Sequence, residues 1–503
     1  MIPGPLEGYA TLIMAVFMSV WSTFFLESWK ATQARHKMQW GMTGFEDSER
    51  DRTEFEGREL HSPVTGLPEK YFPDSEKMWR SVNSYVQIAL CMVYISTVNA
   101  GVFFTYAFLA KYPYQNYTSF GLPNIFSVPR VVMNLALALI IQITNGMFMP
   151  LAITMNETEN HRTETQYFDN LIGKVFVFQF VNSYGALFYV AMLQSALAYE
   201  LGIAEPWRMR RFDCQPKCLA DVGSLLGTIF ICRVVLGNIQ EIVLPYFRMS
   251  KRLREKRDGD DDAPDDDEYE NPHDEQLMRK RQVSPVEEQF LKDDYNALSL
   301  FNDYSELVIQ FGYATLFVSA FPLAPMFACA ANFVEIRVDG WKLCQVCRRP
   351  WPQGAEDIGT WEDILTIVSI IATITNAVMV TLTSDMFVLM STTTRILVFI
   401  ALEWALIGLK VGLMVSLDSV PSDVLMQIER QKFFDEKIVQ EKVDEEKDID
   451  EDINNDIDES AVPILSCDPH IKFRGKDGNA ESENDPKRTQ QQQEQKEDPD
   501  QDD

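Results

Sequence analysis

Carboxylates are the residues of this sequence whose types and spacing could do chemistry. Asp303 and Glu306 stand three residues apart, and Glu335 and Asp339 stand four apart. On helices each pair shares one face. Two apolar runs separate the pairs, joined by the proline-bracketed turn Phe321-Pro322-Leu323-Ala324-Pro325. Glu306 lies 16 residues before Pro322 and Glu335 lies 13 after it. If the turn folds the runs back antiparallel, all four acids meet at one depth, roughly 20 Å from the apex at 1.5 Å per residue. A fifth carboxylate, Glu241, closes another apolar run, with Asn238 as a candidate neutral oxygen donor.

Carboxylates in or near a bilayer are costly and point to function. No His or Cys accompanies these five, which argues against zinc or copper and for a hard cation. Ca²⁺ takes six to eight oxygens from flexible carboxylates and carbonyls. Five negative charges repel one another, and two Ca²⁺ would nearly neutralise them. Occupancy would then draw the run ending at Glu241 towards the hairpin, a conformational switch. A proton or Na⁺ relay in a transporter is the competing reading of the same residues.

The elements that must position these acids are membrane spans. Mostly apolar stretches cover about residues 10–26, 82–110, 131–155, 175–199, 222–240, 307–334 (the hairpin), 365–384 and 396–417. With the hairpin counted as two crossings, this predicts about nine spans in an all-α, polytopic helical membrane protein. Met1 leads almost directly into the first stretch with no cleavage signature, so that helix is expected to be retained. Lys30, Arg35 and Lys37 after the first run, and RMSKRLREKR after Glu241, mark cytoplasmic ends. The three arginines Arg208, Arg210 and Arg211 fall on the opposite side and break that rule. The sequon at Asn116 is expected outside and glycosylated, while the one at Asn156 falls inside and unused. Gln142, Thr144 and Asn145 on the third run, and Gln179, Asn182, Ser183 and Tyr184 on the fourth, either line an aqueous groove or knit helices together.

The net charge of −29 is concentrated in residues 258–275 and in the tail after Phe434, runs too polar to build a core. That balance argues against nucleic acid as a partner. Cys91, Cys232 and Cys329 lie within spans, and the lone Cys344/Cys347 pair is too little for zinc. Cys214 and Cys218, in a polar loop, are the disulfide candidates.

Several segments together resemble the anoctamin family of membrane dimers, calcium-activated chloride channels or phospholipid scramblases. They are FLESWK, NHRTETQYFDNLIGKVFVFQFVNSYGALFYVA, DCQPKCLADVGSLL, GNIQEIVLPY, the hairpin, EIRVDGWKL and TSDM, in order over about residues 10–425. The resemblance implies an anoctamin-type transmembrane domain over residues 1–426, including an acidic loop at 250–300, and an acidic, unfolded cytoplasmic tail at 427–503. The chain lacks the family's soluble N-terminal domain and first span, as an N-terminally truncated member or an incomplete gene model would. The resemblance carries the calcium ligands to Glu241, Asp303, Glu306, Glu335 and Asp339, with Asn238 as a weaker one. Glu27 and Asp418 become candidates for a second calcium site. Two departures stand out: Gly237 replaces the first asparagine of the family's pair, and Asp303 stands where the family often has Glu.

For transport, Gln142, Asn145, Lys174, Gln179 and Arg233 are the expected path residues, with Arg130 as a further basic candidate. Gln179 occupies a position that is Lys in the best-known chloride-channel members. A neutral polar groove suits lipid headgroups, so the expectation is a Ca²⁺-activated scramblase with ion leak, acting on membrane lipids and small ions. A chloride channel is the alternative, and a structural membrane tether a further one. No catalytic residues are implied, and the host is the plasma membrane or an endomembrane such as the ER.

Overall fold

The computed structural model describes residues 4–61, 66–111, 128–193, 218–261, 285–387 and 389–440. The chain divides into two units, 1–433 and 434–503. The second is described only over its first residues, where a π turn runs Asp435–Val439. The acidic tail beyond it, the Asn116 sequon, Cys214 and residues 262–284 of the acidic loop lie outside the described residues.

The first unit is built from helices: α1 (Gly4–Gln39), α2 (Asp74–Lys111), α3 (Val128–Thr158), α4 (Glu164–Phe188), α5 (Cys218–Asn238), α6 (Leu244–Asp261) and α7 (Pro285–Leu291). They continue with α8 (Ala297–Leu316), α9 (Ala324–Trp341), α10 (Trp361–Val378), α11 (Thr392–Ser416) and α12 (Ser422–Phe434). Seven of them, α1 to α5, α10 and α11, are long and apolar enough to cross a membrane. The hairpin arms α8 and α9, counted as two more crossings from the sequence, are not in that set. They have 20 and 18 residues, and their outer turns carry the acids. A small antiparallel pair, Arg58–His61 with Pro68–Tyr71, is the one sheet among the described residues, in the polar segment between α1 and α2.

The hairpin turns where its sequence requires. Leu316 ends α8, Pro322 lies in the turn, and Pro325 sits in the first turn of α9, where a missing N–H is harmless. The loose end of α8 is closed by Asn376 of α10. Its Nδ2 donates to Thr315 O at 2.7 Å, and its Oδ1 accepts from Ser319 N and Oγ at 3.1 and 2.7 Å. At its other end α8 is capped by Asn296, whose Oδ1 accepts from Ser299 N at 3.1 Å.

Against α4 the hairpin packs closely. Tyr184 Oη donates to Ile309 O at 2.8 Å, and a Cβ on Gly312 would lie only 2.0 Å from that hydroxyl. The tyrosine therefore requires a glycine opposite it. α10 is the most enclosed of the spans and α11 the least. Lys410 of α11 is nonetheless buried, its ammonium held by the hydroxyls of Thr23 and Ser369 at 2.9 and 2.5 Å.

Residues 45–56 fold onto the corner between α3 and α4. Asn160, with φ of 58°, exchanges two hydrogen bonds with the backbone of Glu56, and Arg52 N donates to Arg162 O at 2.8 Å. Asn156 is fully buried there, donating to Tyr167 O and accepting from Lys174, both at 2.8 Å.

Candidate metal centre

Asp303 and Glu306 lie in the N-terminal half of α8, and Glu335 and Asp339 in the C-terminal half of α9. The antiparallel fold brings the two ends together through Lys342, the residue after α9. Its Nζ lies 3.1 Å from Asp303 Oδ1 and 2.7 Å from Asp339 Oδ1. The second contact lacks hydrogen-bond geometry, so Asp339 Oδ1 is a buried acceptor neutralised by charge alone. Tyr295 Oη donates to Asp303 Oδ2 at 2.6 Å. Burial, then that carboxylate, push the phenol well above its ordinary range, so it stays a donor. One turn nearer the apex, Gln310 Nε2 donates to Asn332 Oδ1 at 2.8 Å and to Ala328 O at 3.0 Å, a clasp between the arms.

α5 approaches from the side, packing on α3 and α9. Its Arg233 donates through Nη2 to Glu306 O at 3.0 Å, with Nε 3.6 Å from Glu306 Oε1. A Cβ on Gly237 would sit 3.4 Å from the same Oε1. The residue that replaces the expected asparagine thus faces the Glu306 carboxylate. Beyond Asn238 the helix widens into a π turn, Ile239–Val243, that contains Glu241; such wide turns cluster at functional sites. The side chains of Asn238 and Glu241 lie outside the described residues. Glu335 is half-buried one turn before Asp339.

Among the described residues no three acids, histidines or cysteines close on one point. Asp303, Asp339 and Glu306 instead face cations of the chain itself, Lys342 and Arg233. The donor set, all oxygen with one acid oxygen held only by an ammonium, fits a hard cation. The sequence reading located the acids but did not single out Tyr295, Gln310, Asn332 or Lys342 as part of the site.

The two candidates for a second site sit in different surroundings. Glu27 is 3 % exposed, accepts from Ser419 Oγ at 2.8 Å and pairs with Lys30 at 3.1 Å. Asp418, beside Ser419, is exposed.

The path residues are less open than expected. Lys174 is 1 % exposed and sealed against Glu159 Oε2 and Asn156 Oδ1, both at 2.8 Å, so it does not line a groove. Arg233 is held by Glu306 as above. Gln179, half-buried, accepts from Ser305 Oγ of α8 at 2.7 Å. Asn145 accepts from the buried Asn182 at 2.7 Å, which also reaches Thr144, so these polar groups knit α3 to α4. Gln142 is half-buried, and the side chain of Arg130 is outside the described residues. Cys218 begins α5 with its side chain likewise undescribed.

A helical bundle with seven helices long and apolar enough to cross a membrane among the described residues defines a polytopic helical membrane protein. Comparison with known proteins narrows this. Residues 6–431 match the family described as "Anoctamin: Calcium-activated chloride channel". Similar relatives include mouse Anoctamin-5, 33% identical over 400 residues, and human Anoctamin-3, 31% identical over 401. Bovine Anoctamin-4 is 30% identical over 401 residues. Each match covers 75% of this chain and 42%, 38% and 40% of the relative, respectively. The chain belongs to the anoctamin family and is an integral membrane protein. It spans about two fifths of the length of these curated relatives.

Proposed function

We propose that this chain is a Ca²⁺-activated phospholipid scramblase with accompanying ion conductance. Glu241, Asp303, Glu306, Glu335 and Asp339 would hold the ion, with Asn238 as a neutral donor. Bound Ca²⁺ supplies positive charge that offsets the mutual repulsion of these acids. Arg233 keeps α5 on Glu306, and the π turn after Asn238 lets the segment bearing Glu241 adjust its register against the hairpin. The proposed partners are membrane lipids and small ions, and the proposed assembly is a homodimer.

One observation favours lipid over chloride. Of the basic residues that could line an anion path, the two whose side chains are described are engaged by carboxylates, Lys174 by Glu159 and Arg233 by Glu306. An anion pore needs such charges facing its lumen, whereas a neutral groove suits headgroups. The test is the purified chain in liposomes, with lipid translocation and anion flux read from one preparation with and without Ca²⁺. Ca²⁺-dependent lipid translocation with weakly selective ion flux is expected. Anion-selective flux with no lipid movement would replace this reading by the chloride-channel one.

A further inference from the structure

We infer that Lys342 is a built-in competitor for the calcium centre, a tethered cation that bridges the two hairpin arms and must be displaced when Ca²⁺ binds. The inference rests on the calcium reading above and deepens it by assigning the residue that sets the threshold. Lys342 Nζ lies between acids of different arms, 3.1 Å from Asp303 Oδ1 on α8 and 2.7 Å from Asp339 Oδ1 on α9. The residue is buried, at 8 % exposure. A divalent ion on the same two oxygens would stand within a few ångströms of the ammonium, where little water screens their repulsion. The two cations therefore exclude each other.

Three features suit the lysine to an exchangeable role. Its contact with Asp339 has the distance of an ion pair but not the angle of a hydrogen bond, so that contact is one of charge and not of a directional bond. Tyr295 occupies Oδ2 of Asp303, which turns Oδ1 towards the lysine and leaves that oxygen to whichever cation is present. Lys342 also opens the π turn Lys342–Val346 and is flanked by the exposed Trp341 and Leu343, so a short swing carries its head to solvent. Arg233 contrasts with it. Its guanidinium is anchored on the Glu306 carbonyl oxygen, a group that charge neutralisation does not remove.

The experiment measures direct Ca²⁺ binding by isothermal titration calorimetry on the purified full chain in detergent, comparing wild type, Lys342→Met and Lys342→Arg. Loss of the competing charge is expected to lower the half-saturating Ca²⁺ concentration of Lys342→Met by about tenfold, as close like charges at an intermediate dielectric imply. Lys342→Arg, which keeps the charge, should stay within about threefold of wild type. Damage to packing weakens binding, so tighter binding is a direction that a merely structural lysine cannot produce. A thermal melt adds a second readout: Lys342→Met should melt below wild type without Ca²⁺ and gain more from its addition. If Lys342→Met does not fold, Lys342→Gln takes its place. Equal or weaker Ca²⁺ binding by the folded neutral variant, with wild type binding normally, overturns the competitor and leaves the site standing. Absence of binding by wild type and by both variants overturns the calcium reading itself, and the competition with it.

Discussion

Glu159 shows how a single carboxylate can organise a corner that the sequence did not expose. It is 1 % exposed, with Lys174 Nζ at 2.8 Å and His161 Nε2 at 3.2 Å. Burial alone would raise its pKa, but contacts from His161, Lys174 and Ser84 outweigh that and hold the carboxyl down at about 2. The folded value lies below the ordinary 4.5, so the stabilisation is full above that pH and is lost as pH falls through about 2. Glu159→Gln should cost about 3–5 kcal/mol at pH 7, because it strands a buried lysine. In thermal melts the gap between variant and wild type should hold from pH 7 to about pH 5 and narrow below pH 4.5. A gap that does not change with pH would mean that the carboxylate's charge is not what matters. Lys174 was read from the sequence as a path residue because its partner lies in a polar corner 15 residues away. Periodicity carries no information about such a partner. The acids of the hairpin were legible for the opposite reason: charges inside apolar runs stand out, and helical spacing says which share a face.

At the level of elements, the hairpin itself was readable from two apolar runs and their prolines, whereas what closes it was not. Asn376, on a different span, acts as the cap of α8, and no local rule connects it to Ser319, 57 residues earlier. Asn376→Ala should leave Thr315 O and Ser319 N short of partners in a buried site, at about 1–3 kcal/mol for each group left unpaired. A fall in melting temperature with Ca²⁺ affinity little changed is expected, since the cap lies at the apex away from the acids. A second junction links a proposed path residue to the proposed metal site. Gln179 of α4 accepts from Ser305, which lies between Asp303 and Glu306 in the α8 sequence. Gln179→Lys cannot accept that hydrogen bond and sets a positive charge beside the acid-bearing turn. The expected result is a several-fold rise in the Ca²⁺ needed for half-activation, together with slower lipid translocation and a higher anion-to-cation permeability ratio. A higher Ca²⁺ requirement with the permeability ratio unchanged would place Gln179 in packed protein and outside the path. The difference between about nine expected crossings and seven apolar helices has the same origin, since acids shorten the apolar length of the arms that carry them.

At the scale of the whole molecule, everything proposed about gating depends on the orientation of the spans. By the positive-inside rule, the basic residues Lys30, Arg35 and Lys37 in the C-terminal part of α1 and the basic run after Glu241 mark cytoplasmic ends. The acid-bearing ends of the hairpin are then proposed to lie inside, where a cytoplasmic Ca²⁺ signal would reach them. The two sequons test this independently. Asn116 follows α2 by five residues, and Asn156 ends α3, so one span separates them and they must lie on opposite sides. The fold adds a second reason for leaving Asn156 bare. Its amide is 0 % exposed and engaged on both sides, by Tyr167 O and Lys174 Nζ, so glycosylation there would expel a lysine from its buried pair. Asn156→Gln would disturb that pair and confuse the test. Thr158→Ala removes the same sequon and loses only a hydroxyl bonded to Met155 O at 2.7 Å. Expressed in a secretory pathway, the wild-type chain should carry one glycan, seen as a single gel shift reversed by peptide N-glycosidase. Asn116→Gln should abolish the shift and Thr158→Ala should leave it intact. The reverse pattern would put the α3–α4 corner outside, carry Glu241 and the hairpin acids with it, and leave cytoplasmic Ca²⁺ no access to the site.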